Sequence, residues 1–271
     1  MLRLIIQYAL VLSTLAPLRS APDYSAEQET QLLFGETCRV IDYDEGGWYK
    51  VVNDYDGYEG WVGSSMLTLI SEEQHEQYVN ADFTAAVVAP YTKIYSPKLQ
   101  QSIPVTAGTR LRNYRDGKFE ILSQTYTIDP NDVLNEPLEF NYDNLLRIAM
   151  PLINIPYVWG GKSCMGMDCS GLSSIVMTLF GKRVLRNASE QATQGTVVEC
   201  LEDARAGDLV FFNHVSSDST LTKITHVGIV VTPEIVLHCV GRVHFDYLRD
   251  GKLVSSVTGR PTHDIAVIKR Y

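Results

Sequence analysis

From residue 167 to 181 the chain reads MDCSGLSSIVMTLFG, with Leu172, Ile175, Val176, Leu179 and Phe180 at i, i+3, i+4, i+7 and i+8. That is one apolar stripe at helical period, and it predicts an amphipathic helix. Asp168 suits the N-cap, since its carboxylate can accept an orphan first-turn amide; Gly181 stops the helix, and Lys182 and Arg183 meet the negative end of its dipole. Between 225 and 241 the pattern changes. HVGIVV and EIVLHCV are rich in β-branched residues and separated by Thr-Pro-Glu, which predicts an antiparallel hairpin. A three-residue loop pairs Val231 with Ile235, so that residues whose numbers sum to 466 lie opposite one another. His226 and His238 then share one face as diagonal neighbours. A two-residue loop would send them to opposite faces.

Upstream of residue 130 the chain consists of short strand-like runs broken by glycine and Asp-rich turns, with an internal repeat offset by 73. Ala16-Pro17 maps onto Ala89-Pro90, Gly35-Glu36-Thr37 onto Gly108-Thr109-Arg110, and GGWYKVV (46–52) onto GKFEIL (117–122) with a two-residue slip. Two copies of one small β unit are implied. SEEQHEQYV (71–79) reads as a helical connector and DPNDVLNEPLEF (129–140) as a linker. The N-terminal MLRLIIQYALVLSTLAPLRSAP has a basic third residue, an apolar run and small residues near position 20, like a secretion signal. The repeat argues against that reading: it aligns residues 10–17 with the first strand of the second copy, so cleavage near Ser20 would delete a strand. The part left over is too short for an ordinary signal, and Arg3, Gln7, Pro17 and Arg19 interrupt any membrane anchor. A cytoplasmic location is expected, with a secreted or periplasmic one as the alternative.

The 271 residues, 45% hydrophobic and 20% charged, are ordinary globular chemistry. A net charge of −9 with no basic cluster argues against nucleic acid or anionic lipid as partner, and stable membrane insertion is not expected. Five cysteines without a CxxC suggest no disulfide framework. Cys164 reads as a loop-packing residue, and Cys38, Cys200 and Cys239 as strand or core cysteines. Zinc held by Cys169, His226, His238 and Cys239 would lack the closely spaced ligand pairs of structural sites. Neither a metal nor a cofactor is expected.

Cys169 falls in the first turn of the predicted helix, where unpaired amides and the positive dipole end favour thiolate and draw the pKa down from about 8.5. A buried cysteine is equally at home as a small hydrophobe, so the decision rests on a base. His226 and His238 on one face supply it: one takes the thiol proton and the other orients the first imidazole. Upstream, IPYVWGGKSC (155–164) reads as an aromatic turn whose two glycines let the backbone approach a ligand closely. Tyr157 and Trp159 there could also be core aromatics.

PYVWGG, DCSG, HVGI and a histidine twelve residues on, in that order, resemble the NlpC-type cysteine peptidases, a papain-like family that cuts bacterial peptidoglycan peptides. The resemblance implies that Cys169 is the nucleophile, His226 the general base and His238 the third, orienting residue. It places Tyr157 beside an oxyanion site where the Cys169 amide also donates. Trp159, Asp168 and Ser170 match positions lining the substrate groove. Ser189 lies near a segment bordering that groove, and Asn187 stands where many relatives have an aspartate. Residues 32–62, closing with GYEGWV, resemble a bacterial SH3-like barrel. The expected fold is therefore α+β: a first SH3-like β-barrel over 1–70, a second, divergent one over 80–128, and a papain-like peptidase domain over 140–271.

This layout resembles gamma-D-glutamyl-L-diamino acid endopeptidases acting on released muropeptides in murein recycling. There the first barrel closes the non-prime end of the groove and admits only a stem peptide with a free N-terminal L-alanine. The implied partners are peptides of the type L-Ala-gamma-D-Glu-diamino acid. An ammonium needs acidic or aromatic-hydroxyl partners, and DYDGYEGW offers Asp54, Asp56, Tyr58 and Glu59. Tyr58 and Glu59 are the candidates, with the two aspartates reading as turn residues. The runner-up is a secreted hydrolase acting on intact peptidoglycan. An acyltransferase on the same scaffold needs a long apolar channel that the sequence does not display. A wall-binding module with a dead catalytic domain is disfavoured because Cys169, His226, His238 and Tyr157 are all present.

Overall fold

The structure, a computed structural model, describes residues 7–79, 85–214 and 223–271. The chain forms two compact units, Met1–Pro137 with Trp159–Cys164, and Leu138–Val158 with Met165–Tyr271. Among the described residues no helix is long and apolar enough to cross a membrane.

The first unit begins with β1 (Gln7–Val11), β2 (Leu15–Arg19), β3 (Gln28–Leu33), β4 (Thr37–Asp44), β5 (Trp48–Asn53), β6 (Glu59–Gly63) and β7 (Leu67–Ile70), in the sheet order β3-β2-β6-β5-β4-β1-β7. Alternating apolar side chains close over a core of Ala9, Val11, Ala16, Leu18, Leu32, Val51 and Val62. The apolar N-terminal run thus supplies two strands: Ala9 sits between Cys38 and Leu69, and Leu18 faces Thr30. Helix α1 (Glu72–Val79) follows as read from the sequence, with the Ser71 hydroxyl accepting the Gln74 amide.

Beyond it lie β8 (Ala86–Val87), β9 (Tyr91–Ser96), β10 (Gln101–Thr106), β11 (Lys118–Ile121), β12 (Gln124–Thr127) and β13 (Val133–Leu134). The repeat is visible in paired backbone bonds. In the first copy Val11 N–H donates to Glu36 and Gly35 N–H to Val11; in the second, Val87 N–H donates to Thr109 and Gly108 N–H to Val87. The glycines keep the offset of 73, but Val11 matches Val87, three residues off the Ala16-Pro17 alignment. The connection from β2 to β3 is longer than that from β9 to β10, and this accounts for the slip. The segment read as a linker also contributes structure, because Val133 and Leu134 pair with Val87 and Ala86. Ile94, Val105, Phe119 and Tyr126 form the second core, joined by Leu10 and Phe34 of the first copy.

The unit is completed by Trp159–Cys164, which includes β14 (Lys162–Ser163). A Cβ on Gly160, at φ +72°, would meet the Gln28 carbonyl oxygen at 2.5 Å. What this glycine approaches is therefore strand β3 rather than a ligand. Lys162 N–H donates to Gln31 at 2.9 Å and Cys164 N–H to the Thr106 hydroxyl at 3.0 Å.

The second unit holds α2 (Tyr142–Ala149), β15 (Gly166–Met167), α3 (Cys169–Leu179), α4 (Ala188–Gln191), β16 (Thr196–Val198), β17 (Leu209–His214), β18 (Ile224–Thr232), β19 (Ile235–Val240), β20 (Arg242–Arg249), β21 (Lys252–Val254) and β22 (Pro261–Arg270). Its sheet runs β16-β22-β17-β18-β19-β20-β21, and a further pairing of β21 with β22 curls it on itself. Helix α3 packs across β18 and β19. It is buried on every side, where the apolar stripe predicted a solvent face. Its polar positions are absorbed by hydrogen bonds: the Ser173 hydroxyl to Gln191 at 2.7 Å, and the Thr178 hydroxyl to the Ser174 carbonyl at 2.8 Å.

The hairpin differs from expectation in one instructive way. Thr232 pairs with Ile235, so the loop is Pro233-Glu234, but a bulge at Val231 inserts one residue before Val230 meets Val236. Gly228 therefore still faces His238. The bulge restores the register that a two-residue loop alone would have lost.

Candidate active site

Cys169 is the first residue of α3, and Asp168 caps the helix by accepting the Gly171 N–H at 2.6 Å. Asp168 is in turn gripped by Arg186, whose two terminal nitrogens reach its oxygens at 3.0 and 2.6 Å, while the first also donates to Ser170 Oγ at 2.7 Å. Arg186, 1% exposed, is the largest fully buried side chain among the described residues. This bidentate ion pair fixes the cap and hence the start of α3. Asp168 and Ser170 are both buried, and the Ser170 hydroxyl also lies 3.3 Å from Asp168 Oδ1, so the two side chains and Arg186 close a small polar cluster under the first turn.

The Cys169 sulfur accepts the N–H of Val227, which sets it beside β18 next to His226. Burial pushes its thiol up to about 11 and the Asp168 carboxylate adds to this, while the Val227 N–H, Arg186 and the Ser170 N–H pull the other way. The expectation that the helix start lowers this pKa is thus reversed, because desolvation outweighs the dipole. His226 is driven well below its ordinary value, first by burial and then by neighbouring His238, His263 and His244. Both shifts favour a neutral thiol beside a neutral imidazole.

His226 forms a triangle of rings with Phe212 and His263, at 5.7 and 5.4 Å between centroids, those two being 6.2 Å from each other. Its Nε2 is 2.9 Å from His238 Nδ1, and His238 Nε2 is 3.1 Å from Asp246 Oδ2. The other oxygen of Asp246 accepts the Ser256 N–H at 2.7 Å. Burial alone would raise Asp246, but hydrogen bonds from His238 and Ser256 outweigh it and hold the carboxyl well below the usual range. His238 is lowered by burial, partly offset by its bond to Asp246. Three buried side chains thus stand in series, with Nδ1 of His226 outside it.

Tyr157 is half-buried, and burial, together with nearby Cys169 and Asp168, raises its hydroxyl so that it stays protonated as a donor. Its N–H donates to Gly241 and it bridges to Met167. Asn187 is the N-cap of α4, its N–H donating to Glu190 at 3.0 Å, and Ser189 lies exposed on that helix. Trp159, 60% exposed, belongs to the first unit, where its carbonyl accepts from Gln28. Tyr58 and Glu59 are in the first unit too; Tyr58 packs half-buried against the barrel core, and the exposed Glu59 pairs with Lys50 at 2.5 Å. Asp56 is buried, with Oδ1 accepting from Asn53 and the Tyr58 N–H. Cys200, expected in a strand or core, is exposed beside Asp203.

Sequence reading missed Asp246 and Arg186. Asp246 had a signal: in RVHFDYLR, His244 and Asp246 alternate on one face of β20, and His244 pairs directly with His238. Arg186 had none, since nothing in VLRNASE marks an arginine that turns inward to meet a residue eighteen positions earlier. Among the described residues, the group with ligating atoms gathered closely enough for a metal is His238, His244 and Asp246; Cys169, His226 and Cys239 do not join it.

A cysteine opening a buried helix that packs on an antiparallel sheet carrying its histidines is the architecture of a papain-like thiol peptidase. Comparison with known proteins gives two domain matches. Residues 154–259 match the NlpC/P60 family, and residues 18–67 match the bacterial dipeptidyl-peptidase SH3 domain. The chain thus carries an NlpC/P60 domain, of the peptidase type, preceded by a bacterial SH3-like domain. It is 26% identical over 234 residues to a gamma-D-glutamyl-L-lysine dipeptidyl-peptidase of Bacillus cereus, covering 78% of this chain and 66% of that protein, just under two thirds of its length. The Bacillus subtilis protein of the same name is 25% identical over 222 residues, 78% of this chain and 71% of that one. Dipeptidyl-peptidase 6 of Lysinibacillus sphaericus is 27% identical over 248 residues, 82% and 88% of the two chains. A crystal structure of an NlpC/P60 family protein from Bacillus cereus superposes with a TM-score of 0.79, at 22% identity, over 97% of this chain and 99% of that one, which shows the shared fold.

Proposed function

We propose that this peptidase hydrolyses the gamma-D-glutamyl-diamino acid bond of peptidoglycan stem peptides bearing a free N-terminal L-alanine, in murein peptide recycling. The observation that carries the chemistry is the buried series His226–His238–Asp246 beside the Cys169 thiol. The names of the two Bacillus relatives, each matched over 78% of this chain, support the bond and substrate class.

Cys169 Sγ attacks the gamma-carbonyl of D-glutamate as its proton passes to Nδ1 of His226. The Nε2–H of His226 donates to His238 Nδ1, and the Nε2–H of His238 donates to Asp246, so the imidazolium is stabilised by a carboxylate two bonds away. The tetrahedral oxyanion is met by the Cys169 N–H and the Tyr157 hydroxyl. The C–N bond breaks, His226 returns the proton to the leaving diamino-acid amine, and a thioester remains on Cys169. Water, deprotonated by His226, then releases L-Ala-D-Glu. Because both shifts favour the neutral pair, the thiol is activated at the moment of attack rather than stored as thiolate. Trp159, Asp168, Ser170, Asn187 and Ser189 remain the proposed groove residues, and Tyr58 and Glu59 the proposed amine recognition pair. We place the reaction in the cytoplasm as part of the same proposal.

The test is hydrolysis of L-Ala-gamma-D-Glu-meso-diaminopimelate and its N-acetylated twin by wild type and Cys169→Ala. The reading expects cleavage of the free-amine peptide alone, abolished in the variant. Equal cleavage of both would favour action on intact peptidoglycan, and cleavage of neither would overturn the assignment.

A further inference from the structure

Residue His244 takes no part in the proposed chemistry, yet it stands against two residues that do. It lies directly opposite His238 across β19 and β20, its ring centroid 4.5 Å from that of His238, and its Nε2 is 3.4 Å from Asp246 Oδ2. Its Nδ1 is 2.8 Å from the Arg242 carbonyl oxygen. A carbonyl only accepts, so Nδ1 carries the proton and Nε2 of the neutral ring presents a bare lone pair toward a carboxylate. The two atoms are joined either by a second proton on the ring or by a cation held between their lone pairs. A backbone carbonyl fixing the tautomer of an imidazole in this way is also how metal-ligating histidines are held.

Two of the three spacings match those around a small ion. His238 Nε2 is 3.1 Å and His244 Nε2 is 3.4 Å from the same Asp246 oxygen, and the ligating atoms all lie within 4.8 Å of one another. Tetrahedral zinc with bonds of about 2.0–2.1 Å holds its ligands about 3.3 Å apart. Two imidazoles and a carboxylate form a donor set for zinc and its late first-row neighbours. The His244 side chain, 17% exposed, leaves a way in for the ion.

We propose that His238, His244 and Asp246 form an inhibitory site for a divalent cation of the zinc type, which switches the peptidase off by changing the tautomer of its base. The inference rests on the proposed histidine series. In the active arrangement both His226 and His238 carry their single proton on Nε2. A cation on His238 Nε2 displaces that proton to Nδ1, which then donates to His226 Nε2. The proton of His226 moves to Nδ1, the atom that must receive the thiol proton. No proton is gained or lost; each ring exchanges one tautomer for the other. Cys169 then faces a donor instead of an acceptor.

The experiment uses ZnCl2 at buffered free concentrations on the full chain. Binding is measured by calorimetry in the Cys169→Ala variant, where thiol coordination is removed. Binding is expected there, and expected to weaken at least about 100-fold, the upper end of what loss of an outer-sphere partner costs, when His244→Ala or His244→Gln is added. Nitrogen-15 spectra of the imidazoles of the Cys169→Ala protein are expected to move the His226 proton from Nε2 to Nδ1 on zinc addition. In the otherwise wild-type enzyme, His244→Gln is expected to keep its hydrolysis and lose its zinc inhibition. Zinc that binds wild type but not Cys169→Ala, or a His226 tautomer unchanged by bound zinc, would overturn the inference. The binding and spectroscopic readings need no substrate, so a failure of the proposed peptide specificity would be seen separately.

Discussion

In the second unit His226, His238 and Asp246 are buried and joined nitrogen to nitrogen to oxygen, with Asp246 anchored by a backbone N–H. In the first unit Lys162, 1% exposed, lies 3.6 Å from Glu36 and 4.0 Å from Asp56, and neither its ammonium nor Asp56 Oδ2 has a hydrogen-bond partner among the described residues. Burial raises Glu36 against the pull of Lys162. Both sets are ionisable and dry, but they are built on different terms. The first is directional: the hydrogen bonds run in one order from His226 through His238 to Asp246, and that order fixes which nitrogen carries which proton. The second is an unspecific balance of charge in which position matters less than sign. Burial and perturbed titration alone therefore do not mark a reactive site; completeness and direction of hydrogen bonding do.

Breaking the directional set should cost most in rate. Asp246→Asn keeps the volume but lets the amide present the wrong group to His238, so kcat is expected to fall by about 10² to 10⁴. The thermal midpoint, read by circular dichroism, should change far less than the rate. Breaking the balanced set should cost stability. Lys162→Met leaves buried acidic groups uncompensated and is expected to lose about 3–5 kcal/mol in denaturant unfolding. Adding Glu36→Gln should recover part of it, while the pH profile of kcat stays in place.

A third comparison reads Cys169 directly. With the thiol raised to about 11, the second-order rate of its alkylation by iodoacetamide should rise about tenfold per pH unit from 7 to 10, following the thiolate fraction. A plateau across neutral pH would mean a stored thiolate–imidazolium pair. The smallest effect is expected at Ser173→Ala, which strips the buried Gln191 side-chain oxygen of a 2.7 Å donor on α3. A loss of about 1–3 kcal/mol in stability, with kcat within a few-fold of wild type, would show that this bond supports α3 without shaping the chemistry.

Much of the site was legible because it is local or periodic. The Asp168 cap, the Gly181 stop and the two β-branched runs each follow from a few neighbouring residues. The histidine face was reached through a loop length that the structure does not have; the bulge at Val231 made the two descriptions equivalent. Bulges leave no mark in an unbroken β-branched run, so this could not have been read in advance. Desolvation of Cys169 was hidden for a related reason. The serines and threonine of α3 suggested a wet face, and only long-range partners such as Gln191 make them buriable. The same holds for Arg186 and Lys162, long side chains whose burial depends on acidic groups elsewhere in the chain. The offset of the internal repeat was legible at its glycines, where a turn demands positive φ, and not at Ala16-Pro17, on the far side of a loop whose length differs between the copies.

The most direct test is to trap the acyl-enzyme. L-Ala-gamma-D-Glu-L-Lys or its diaminopimelate counterpart would be mixed with enzyme, quenched in acid within milliseconds to seconds, and followed by intact-protein mass spectrometry with peptide mapping. A transient adduct equal to L-Ala-D-Glu less one water, localised to Cys169 and prolonged in Asp246→Asn, is the predicted result. Turnover without any adduct on Cys169, or an adduct on another residue, would contradict it.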